Sequence, residues 1–218
     1  MEEHRVQVKS VSFVTHNVKR FQLERPENFH FKPGQATDVS LDLSDWKNEL
    51  RPFTFTGPVK ADYLEFTIKI YTDHKGVTNQ LGKIKAGDHL ILHEVFGAIQ
   101  YKGRGVFLAG GAGVTPFIAI LRDLNRQNLV SGNKLIFSNK TSADIILLNE
   151  FQQMLGNNFI NILTRENGRK RIDREFLLKN IDNFDQHFYV CGPDDFVKNI
   201  LDILSALGAE SEALVFEK

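Results

Sequence analysis

One stretch decides the fold: Val106-Phe107-Leu108-Ala109-Gly110-Gly111-Ala112-Gly113-Val114-Thr115-Pro116. Its first four residues are apolar, its middle is rich in glycine, and a helical pattern follows over residues 116–127. A strand that is apolar along its whole length is typical of a parallel sheet covered by helices on both faces. The stretch therefore predicts a strand, a tight turn and a helix of an α/β domain.

The rest of the C-terminal half repeats this alternation. Strand-like segments lie at 134–137, 158–163 and 187–191, and helical segments lie near 144–155, 173–180 and 193–207. Strands that alternate with helices indicate a parallel α/β sheet. We place this domain at residues 103–218.

Residues 1–102 follow a different pattern, that of short strands. Residues 64–70 alternate, with Leu64, Phe66, Ile68 and Ile70 on one face and Glu65, Thr67 and Lys69 on the other. This alternation predicts an antiparallel strand that is buried on its apolar face and exposed on its polar face. Turn signals such as Pro33-Gly34 and Gly57-Pro58 separate the strands,. The N-terminal domain is therefore expected to be a barrel or a sandwich.

The composition excludes several classes of protein. The 218 residues carry 27 Lys+Arg against 27 Asp+Glu, so there is no basic surplus for nucleic acid or an anionic membrane,. A single cysteine excludes an intrachain disulfide, a cysteine-ligated iron–sulfur cluster and a zinc site built of several cysteines,. No apolar run approaches the ~20 residues that cross a bilayer, and residues 1–10 lack an apolar signal segment,. We expect a soluble, cytoplasmic protein.

The glycine-rich turn is the first candidate binding site. Thr115 is expected to cap the following helix and Pro116 to occupy its first position, so that the positive helix end faces a pyrophosphate. The alternative is a plain turn whose glycines allow tight packing. The dinucleotide fingerprint G-x-G-x-x-G is not satisfied, because Pro116 replaces its third glycine,.

Two further motifs carry chemistry. Arg51-Pro52-Phe53-Thr54 offers a guanidinium for a phosphate, a ring for stacking and a hydroxyl; the alternative is an amphipathic strand with a solvated arginine,. Cys191-Gly192-Pro193 ends an apolar strand, at the edge where open α/β sheets bind ligands,. A lone cysteine is more often a small hydrophobe, and we do not interpret Cys191 as a nucleophile.

These motifs, in this order, resemble those of the ferredoxin–NADP reductase superfamily. Arg51-Pro52-Phe53-Thr54 resembles its flavin motif, residues 110–116 its nicotinamide motif, Cys191-Gly192-Pro193 its C-G-P motif, and Gly76-Val77-Thr78 the start of its flavin-phosphate helix. The chain is most similar to the single-chain flavodoxin/ferredoxin reductase type. This resemblance implies a six-stranded antiparallel β-barrel that binds flavin, followed by an α/β parallel-sheet domain that binds NAD(P).

The resemblance also implies roles for individual residues. Arg51 would bind the phosphate of FAD (or of FMN), Phe53 would lie against the isoalloxazine, and Thr54 would hydrogen-bond near its N5. Thr115 and Cys191 would flank the nicotinamide of NADH or NADPH. The catalytic candidates are Thr54, Cys191 and Glu217. The cofactor-binding candidates are Arg51, Pro52, Phe53, Thr54, Gly76, Val77, Thr78, Gly111, Gly113, Thr115, Pro116, Asn139, Thr141, Asp144, Gly192, Pro193 and Phe216.

Two departures from the family pattern affect the expected chemistry. Phe53 stands where tyrosine is commoner, and after Glu217 comes Lys218 rather than an aromatic residue. The second departure predicts an open nicotinamide face. Residues 139–145 resemble a segment of NADH-preferring cytochrome b5 reductases, whereas the cations Lys140, Arg165, Arg169, Lys170 and Arg171 suit the 2′-phosphate of NADPH,. We favour NADH.

The resemblance implies an enzyme that passes electrons from NAD(P)H through flavin to a separate acceptor, such as flavodoxin or ferredoxin. Two alternatives stay open: a non-catalytic module that binds a nucleotide or a partner, and an electron-transfer subunit of a larger complex. No metal is expected. His89 and His93 lie four residues apart in a strand-like run with no third ligand nearby, and we interpret them as surface residues,.

Overall fold

The computed structural model describes residues 3–73, 75–97, 99–166 and 171–216. The chain divides into two compact units. The first comprises Met1–Ala98 and Thr115–Asp123, and the second comprises Ile99–Val114 and Leu124–Lys218.

The first unit is built on one antiparallel sheet of six strands. They are β1 (His4–Thr15), β2 (Val18–Glu24), β3 (Gln35–Leu41), β4 (Arg51–Thr54), β5 (Tyr63–Lys69) and β6 (His89–Gly97), with a short helix α1 (Val77–Leu81) before β6. The strand order is β4-β3-β6-β1-β2-β5, and every pair is antiparallel. An isolated bridge between Phe55 and Phe66 joins the end of β4 to β5 and closes the sheet. The predicted six-stranded antiparallel barrel is confirmed.

Phenylalanine side chains fill the barrel. Phe55 is completely buried and contacts three other rings: it stacks on Phe31 with 4.3 Å between ring centroids, and it lies 4.9 Å from Phe66 and 5.7 Å from Phe29. Each such pair contributes about 0.5–1.5 kcal/mol beyond the area it buries. This cluster holds the chain in place directly after β4, the strand that carries the flavin motif.

Strand β5 differs from its prediction on one face. The alternation predicts that Glu65 and Thr67 are exposed, yet their exposed fractions are only 2% and 4%. Residues Thr115–Asp123 belong to this same unit, and Nη1 of Arg122 donates to Oε1 of Glu65 over 2.7 Å. The exposed-face prediction was wrong because alternation shows only that two faces differ in polarity; a charged partner covers the polar one.

The second unit contains a parallel sheet of five strands. They are β7 (Gly105–Gly110), β8 (Lys134–Asn139), β9 (Phe159–Leu163), β10 (His187–Cys191) and β11 (Leu214–Phe216), in the order β11-β10-β7-β8-β9. Its helices are α3 (Leu148–Leu155), α4 (Arg174–Asn180) and α5 (Asp194–Ala206). Helix α2 (Thr115–Arg126) is divided between the units: residues up to Asp123 belong to the first, and those from Leu124 to the second. The predicted parallel α/β sheet is confirmed, and β11 is the one strand that the sequence pattern does not predict.

The start of α2 also differs from its prediction. A 3₁₀ turn, Gly111–Val114, runs directly into the helix, so that Thr115 is the first residue of α2 rather than its cap. Pro116 is the second residue and is buried. Proline is still accepted there, because the N–H groups of a first helical turn have no partner within the helix.

His93 is buried rather than at the surface. Its exposed fraction is 8%, its N–H donates to Oγ1 of Thr37 over 3.2 Å, and its Nε2 lies 3.4 Å from Oγ of Ser40. The reason is that β6 pairs with both β1 and β3. Within the described residues, no group of three or more potential metal ligands occurs. No helix in the described part of the chain is long and apolar enough to cross a membrane.

Candidate functional site

Strand β4 lies at the edge of the first sheet and presents Arg51 to solvent. In the described part of the chain, β4 pairs along its length only with β3, from Ala36↔Thr54 to Val39↔Arg51. The Arg51 side chain is 53% exposed; Nη1 donates to the carbonyl oxygen of Leu50 over 2.6 Å, and Nη2 lies 3.9 Å from Oε2 of Glu49. An exposed pair of this kind contributes about 0–1 kcal/mol, so the guanidinium is readily available to a phosphate.

The other residues of β4 add a ring and a hydroxyl. Phe53 packs against the barrel core, with its centroid 6.5 Å from that of Phe66, yet it remains partly exposed. Thr54 is also partly exposed, and Pro52 is exposed on this edge strand, where proline removes no hydrogen bond of a central sheet,. A cation, an aromatic face and a hydroxyl within four residues fit the phosphate and ring of a flavin.

At the start of helix α1, the groups available to a cofactor are backbone N–H groups rather than side chains. Gly76 precedes it with φ −104°, and a Cβ placed on Gly76 would meet nothing within 4 Å. The Val77 side chain is 1% exposed and belongs to the core, so only its backbone is available to a cofactor. Thr78 is partly exposed. The first N–H groups of any helix lack internal partners, which suits a phosphate approaching Gly76.

In the second unit, two glycines of the β7–α2 turn serve different purposes. A Cβ on Gly113 would lie 2.4 Å from the carbonyl oxygen of Cys191, so Gly113 is required for packing. Gly111 has φ +54°, and a Cβ there would meet nothing within 4 Å. Both interpretations of the turn therefore apply, to different residues: tight packing at Gly113, and room for a ligand at Gly111.

Helices α2 and α5 differ in the charge of their first turns, and therefore in how well their N-terminal ends would bind an anion. The first turn of α5 contains Asp194 and Asp195, whereas the first turn of α2 contains no acidic residue. Both helices have a positive N-terminal end, but the two carboxylates of α5 would repel a pyrophosphate. The turn at Gly111 is the better anion site.

The C-G-P motif borders a cleft of about 460 Å³ in the second unit. Cys191 and Gly192 line it together with Phe216, which is partly exposed at the end of β11 and pairs with Val190. A Cβ on Gly192 would lie 2.8 Å from the Phe196 ring. Volumes of this size are usual for small-molecule pockets. Pro193 is exposed and directly precedes α5.

Asn139 gives the sharpest indication of a ligand. It ends β8, one residue beyond the pairing of Ser138 with Gly110, and its exposed fraction is 4%. Neither Oδ1 nor Nδ2 of its side chain has a hydrogen-bond partner in the described chain. An unpaired buried polar group costs about 1–3 kcal/mol, so a partner from a bound molecule would remove that cost.

Thr141 and Asp144 shape the loop after Asn139. Oδ2 of Asp144 accepts from the N–H of Thr141 over 2.9 Å and from its hydroxyl over 2.7 Å. Glu166 Oε1 accepts from the N–H of Ser142 over 3.1 Å, which ties this loop to the one after β9. The N–H of Arg165 likewise donates to the carbonyl oxygen of Lys140 over 2.9 Å.

Some predicted residues lie outside the described part of the chain: Glu217, Lys218, Arg169 and Lys170.

The sequence interpretation misses the interaction of Arg122 with its buried partner Glu65. The available signal is an arginine that follows the apolar run Pro116-Phe117-Ile118-Ala119-Ile120-Leu121, since such a side chain needs a partner when its helix is buried,.

Each half of the chain matches a known protein family. Residues 5–101 match the family model described as "Oxidoreductase FAD-binding domain", and residues 107–202 match "Oxidoreductase NAD-binding domain". Together they define the class as an FAD- and NAD-binding oxidoreductase. The chain belongs to the oxidoreductases that combine these two domains, and its fold is that of a ferredoxin NADP+ reductase.

Individual relatives are distant. The reductase component of propane 2-monooxygenase from Mycolicibacterium smegmatis is 29% identical over 161 residues, which cover 71% of this chain and 45% of that protein. The probable electron transfer subunit of dihydroorotate dehydrogenase B from Pyrococcus furiosus is 27% identical over 211 residues, 96% of this chain and 78% of that protein. A ferredoxin NADP+ reductase from Neisseria gonorrhoeae, solved with bound FAD and NADP, shares the fold with a TM-score of 0.83 and 22% identity, covering 100% of this chain and 98% of that one. The chain spans less than half the length of the first curated relatives that it matches.

Proposed function

We propose that the protein is an FAD-dependent NAD(P)H reductase, which passes electrons from the reduced nicotinamide through flavin to a separate acceptor. One observation carries the proposal: the buried side-chain amide of Asn139 has no partner in the described chain and lies beside the turn whose Gly111 leaves room for a ligand. Flavin and nicotinamide together supply the redox chemistry, with hydride as the unit transferred between them. The protein contributes placement.

In the first unit, Arg51 binds the flavin phosphate by charge-assisted hydrogen bonds. Phe53 contacts the ring system with the part of its face that remains exposed, and the Thr54 hydroxyl donates to the ring or accepts from it,. Gly76 and the backbone of Val77 and Thr78 hold the pyrophosphate. The open space around Gly76 supports this assignment.

In the second unit, the turn at Gly111 receives the pyrophosphate of the nucleotide, and Asn139 hydrogen-bonds the same ligand. Gly113 and Gly192 keep their neighbouring segments close together. Cys191 lies next to the nicotinamide, with Pro193 and Phe216 lining the site. Thr115 and Pro116, which belong to the first unit, are the remaining candidates for contact with the nicotinamide. Glu217, outside the described residues, stays a catalytic candidate. Reacting atoms must approach to ~3–3.5 Å for hydride to pass.

We propose NADH as the preferred donor. Lys140 and Arg165 are exposed on adjacent loops and suit a 2′-phosphate, but the carboxylates of Asp144 and Glu166 lie in the same two loops. Those carboxylates offset the attraction of the cations for a further phosphate. The ratio of kcat/KM for NADH to that for NADPH tests this preference, and a ratio below one would refute it.

The acceptor is proposed to be a separate redox protein such as a flavodoxin or a ferredoxin. The similarity to the reductase component of propane 2-monooxygenase supports a role as one component of a larger electron-transfer system. A cytoplasmic location is part of the proposal, because reduced nicotinamide nucleotides are available there.

A second candidate is an electron-transfer subunit of a larger enzyme. The observation that favours it is the similarity, over 96% of this chain, to the probable electron transfer subunit of dihydroorotate dehydrogenase B. The two candidates differ in what they bind. Purification from the native source in a stable complex with a dehydrogenase would favour the subunit, whereas an unaccompanied chain that reduces added acceptors would favour the reductase.

The decisive experiment is an anaerobic titration of the purified chain. We expect a yellow protein, or one that becomes yellow with added FAD, whose absorbance is bleached by NADH and then restored by an acceptor protein. A chain that stays colourless with FAD and FMN would instead be a non-catalytic module, and the proposed function would be wrong.

A further inference from the structure

Glu65 is a buried carboxylate that the flavin site does not use. Its side chain is 3% exposed, yet it lies on β5 of the barrel, among three polar neighbours. Nη1 of Arg122 donates to Oε1 over 2.7 Å, the Thr56 hydroxyl donates to the same atom over 3.0 Å, and Nε of Arg20 lies 3.8 Å from Oε2. A carboxylate removed from water needs such partners to remain charged.

Arg122 links helix α2 to the barrel through hydrogen bonds at one defined position. Its Nη1 donates both to Glu65 and to the carbonyl oxygen of Thr56, in each case over 2.7 Å. The backbone of Gly57 packs directly against Glu65, since a Cβ on Gly57 would lie only 2.8 Å from Cβ of Glu65. The helix therefore has a fixed anchor on the barrel, within a single compact unit.

The apolar packing of α2 does not by itself define its axial position. Residues 116–121 are all buried, and apolar contacts are non-directional,. Hydrogen bonds to a charged group, in contrast, depend strongly on distance and angle. Arg122 follows Thr115 by two helical turns, about 10 Å along the axis, so its anchor determines where the first residue of α2 lies.

We propose that Arg122 and Glu65 are positioning residues for hydride transfer: their ion pair fixes Thr115, at the start of α2, relative to the flavin-binding barrel. The inference rests on the proposed function, in which Thr115 lies next to the nicotinamide. Neither residue is catalytic. Hydride transfer is sensitive to such placement, because an error of about 1 Å in a reacting geometry can slow a reaction by ~10²-fold.

Arg20 provides a matched control within the same cluster. It faces the same carboxylate, but its Nε is 3.8 Å from Oε2, beyond hydrogen-bond distance, and it belongs to β2 rather than α2. Arg20→Gln removes a positive charge near Glu65 without removing the anchor of α2. Arg126→Gln, one turn further along α2 at an exposed position, controls for the loss of an arginine from that helix.

The experiment compares Arg122→Gln, Glu65→Gln and the double variant with these two controls. In single-turnover reduction by saturating NADH, we expect Arg122→Gln to be at least about tenfold slower, with FAD content and KM for NADH within about twofold of the unchanged protein. The double variant should be no slower than Arg122→Gln, because both changes break one interaction. Arg122→Lys, which restores the charge, should recover part of the rate.

Amide hydrogen exchange supplies a readout that needs no cofactor. In the flavin-free protein, Arg122→Gln should accelerate exchange in residues 117–121, while β1–β3 exchange at the rate seen in Arg20→Gln. Equal reduction rates in Arg122→Gln and Arg20→Gln would overturn the proposal, as would faster exchange spread over the whole barrel. If Arg122→Gln does not fold, Glu65→Gln, which keeps the shape of the acceptor, undergoes the same comparison.

The two proposals fail in different ways. If neither nucleotide reduces the unchanged protein, the proposed function is wrong. The exchange measurement still decides whether the ion pair holds α2 in place.

Discussion

Gly113 and Cys191 lie so close together that a Cβ on Gly113 would be 2.4 Å from the Cys191 carbonyl oxygen. The glycine turn after β7 and the C-G-P motif after β10 are therefore parts of one packed structure, although 78 residues separate them in the chain. Strands β7 and β10 are parallel neighbours in which Cys191 pairs with Ala109, so the glycine turn and the C-G-P motif lie at the same end of the sheet.

Gly113→Ala is expected to destabilise the protein, because the new methyl group would overlap backbone atoms that cannot move aside. Overpacking of this kind costs about 1–3 kcal/mol. Urea unfolding of the flavin-free protein measures it. Gly76→Ala is the matched control, since its Cβ meets nothing within 4 Å, and it should leave unfolding unchanged while weakening FAD binding. Equal stability of the two variants would contradict the packing role of Gly113.

Arg51→Gln should weaken FAD binding without altering the fold. The guanidinium is 53% exposed and contacts only neighbouring residues in the described chain, Leu50 and Glu49. Loss of a charge-assisted hydrogen bond to phosphate costs about 1.5–3 kcal/mol, which corresponds to a roughly 10–150-fold larger Kd. Fluorescence titration of the flavin-free protein measures the Kd. Glu49→Gln should have the opposite, smaller effect, and an unchanged Kd in Arg51→Gln would remove that residue from the site.

Asn139→Leu should stabilise the flavin-free protein while impairing its use of NADH. The substitution replaces an unpartnered, buried amide with an apolar side chain of similar size, which relieves a cost of about 1–3 kcal/mol,. Thermal unfolding should then shift upward and KM for NADH should rise. A fall in Tm with KM unchanged would show that Asn139 serves the fold rather than the nucleotide. Asn161→Leu, on the neighbouring strand β9, is the control variant for the change in KM for NADH.

Asp42 should make stability sensitive to acid. Hydrogen bonds from Lys47 and Arg5 lower the pKa of Asp42 from 3.8 to about 2. Because the folded-state pKa is the lower one, its stabilising contribution is present above pH 3.8 and is lost as the pH falls toward 2,. Between these values, Asp42→Asn should lose stability with falling pH less steeply than the unchanged protein.

The order of structural elements could be read from local patterns. The helix predicted at 116–127 occurs as Thr115–Arg126, and the strand predicted at 187–191 occurs at those residues. The helix predicted near 144–155 is shorter, because the Thr141–Asp144 capping interaction forms a separate 3₁₀ turn and Leu147 has φ +55°. Strand β11 contains only three residues, too few for a periodic pattern.

Local sequence could not show which side chains meet across the chain. Glu65 alternates with apolar neighbours as an exposed residue would. It can be buried because Arg122, 57 positions later in the chain, donates a hydrogen bond to its carboxylate. His93 is buried for a similar reason, because its strand is paired on both edges. Whether Gly111 or Gly113 faces open space depends on the position of Cys191, which lies in another strand.

The amino-acid sequence by itself determined the two-part fold, the positions of the glycine turn and the Arg51–Thr54 motif, and the family to which the chain belongs. The fold and the turn follow from hydrophobic period and local backbone preference, which act over a few residues, whereas the family follows from the resemblance of the ordered motifs. Only the tertiary structure shows that the buried amide of Asn139 has no partner among the described residues, and that Arg122 of α2 pairs with Glu65 of β5. Burial and pairing of charges depend on residues that are distant in the chain, so no local pattern encodes them.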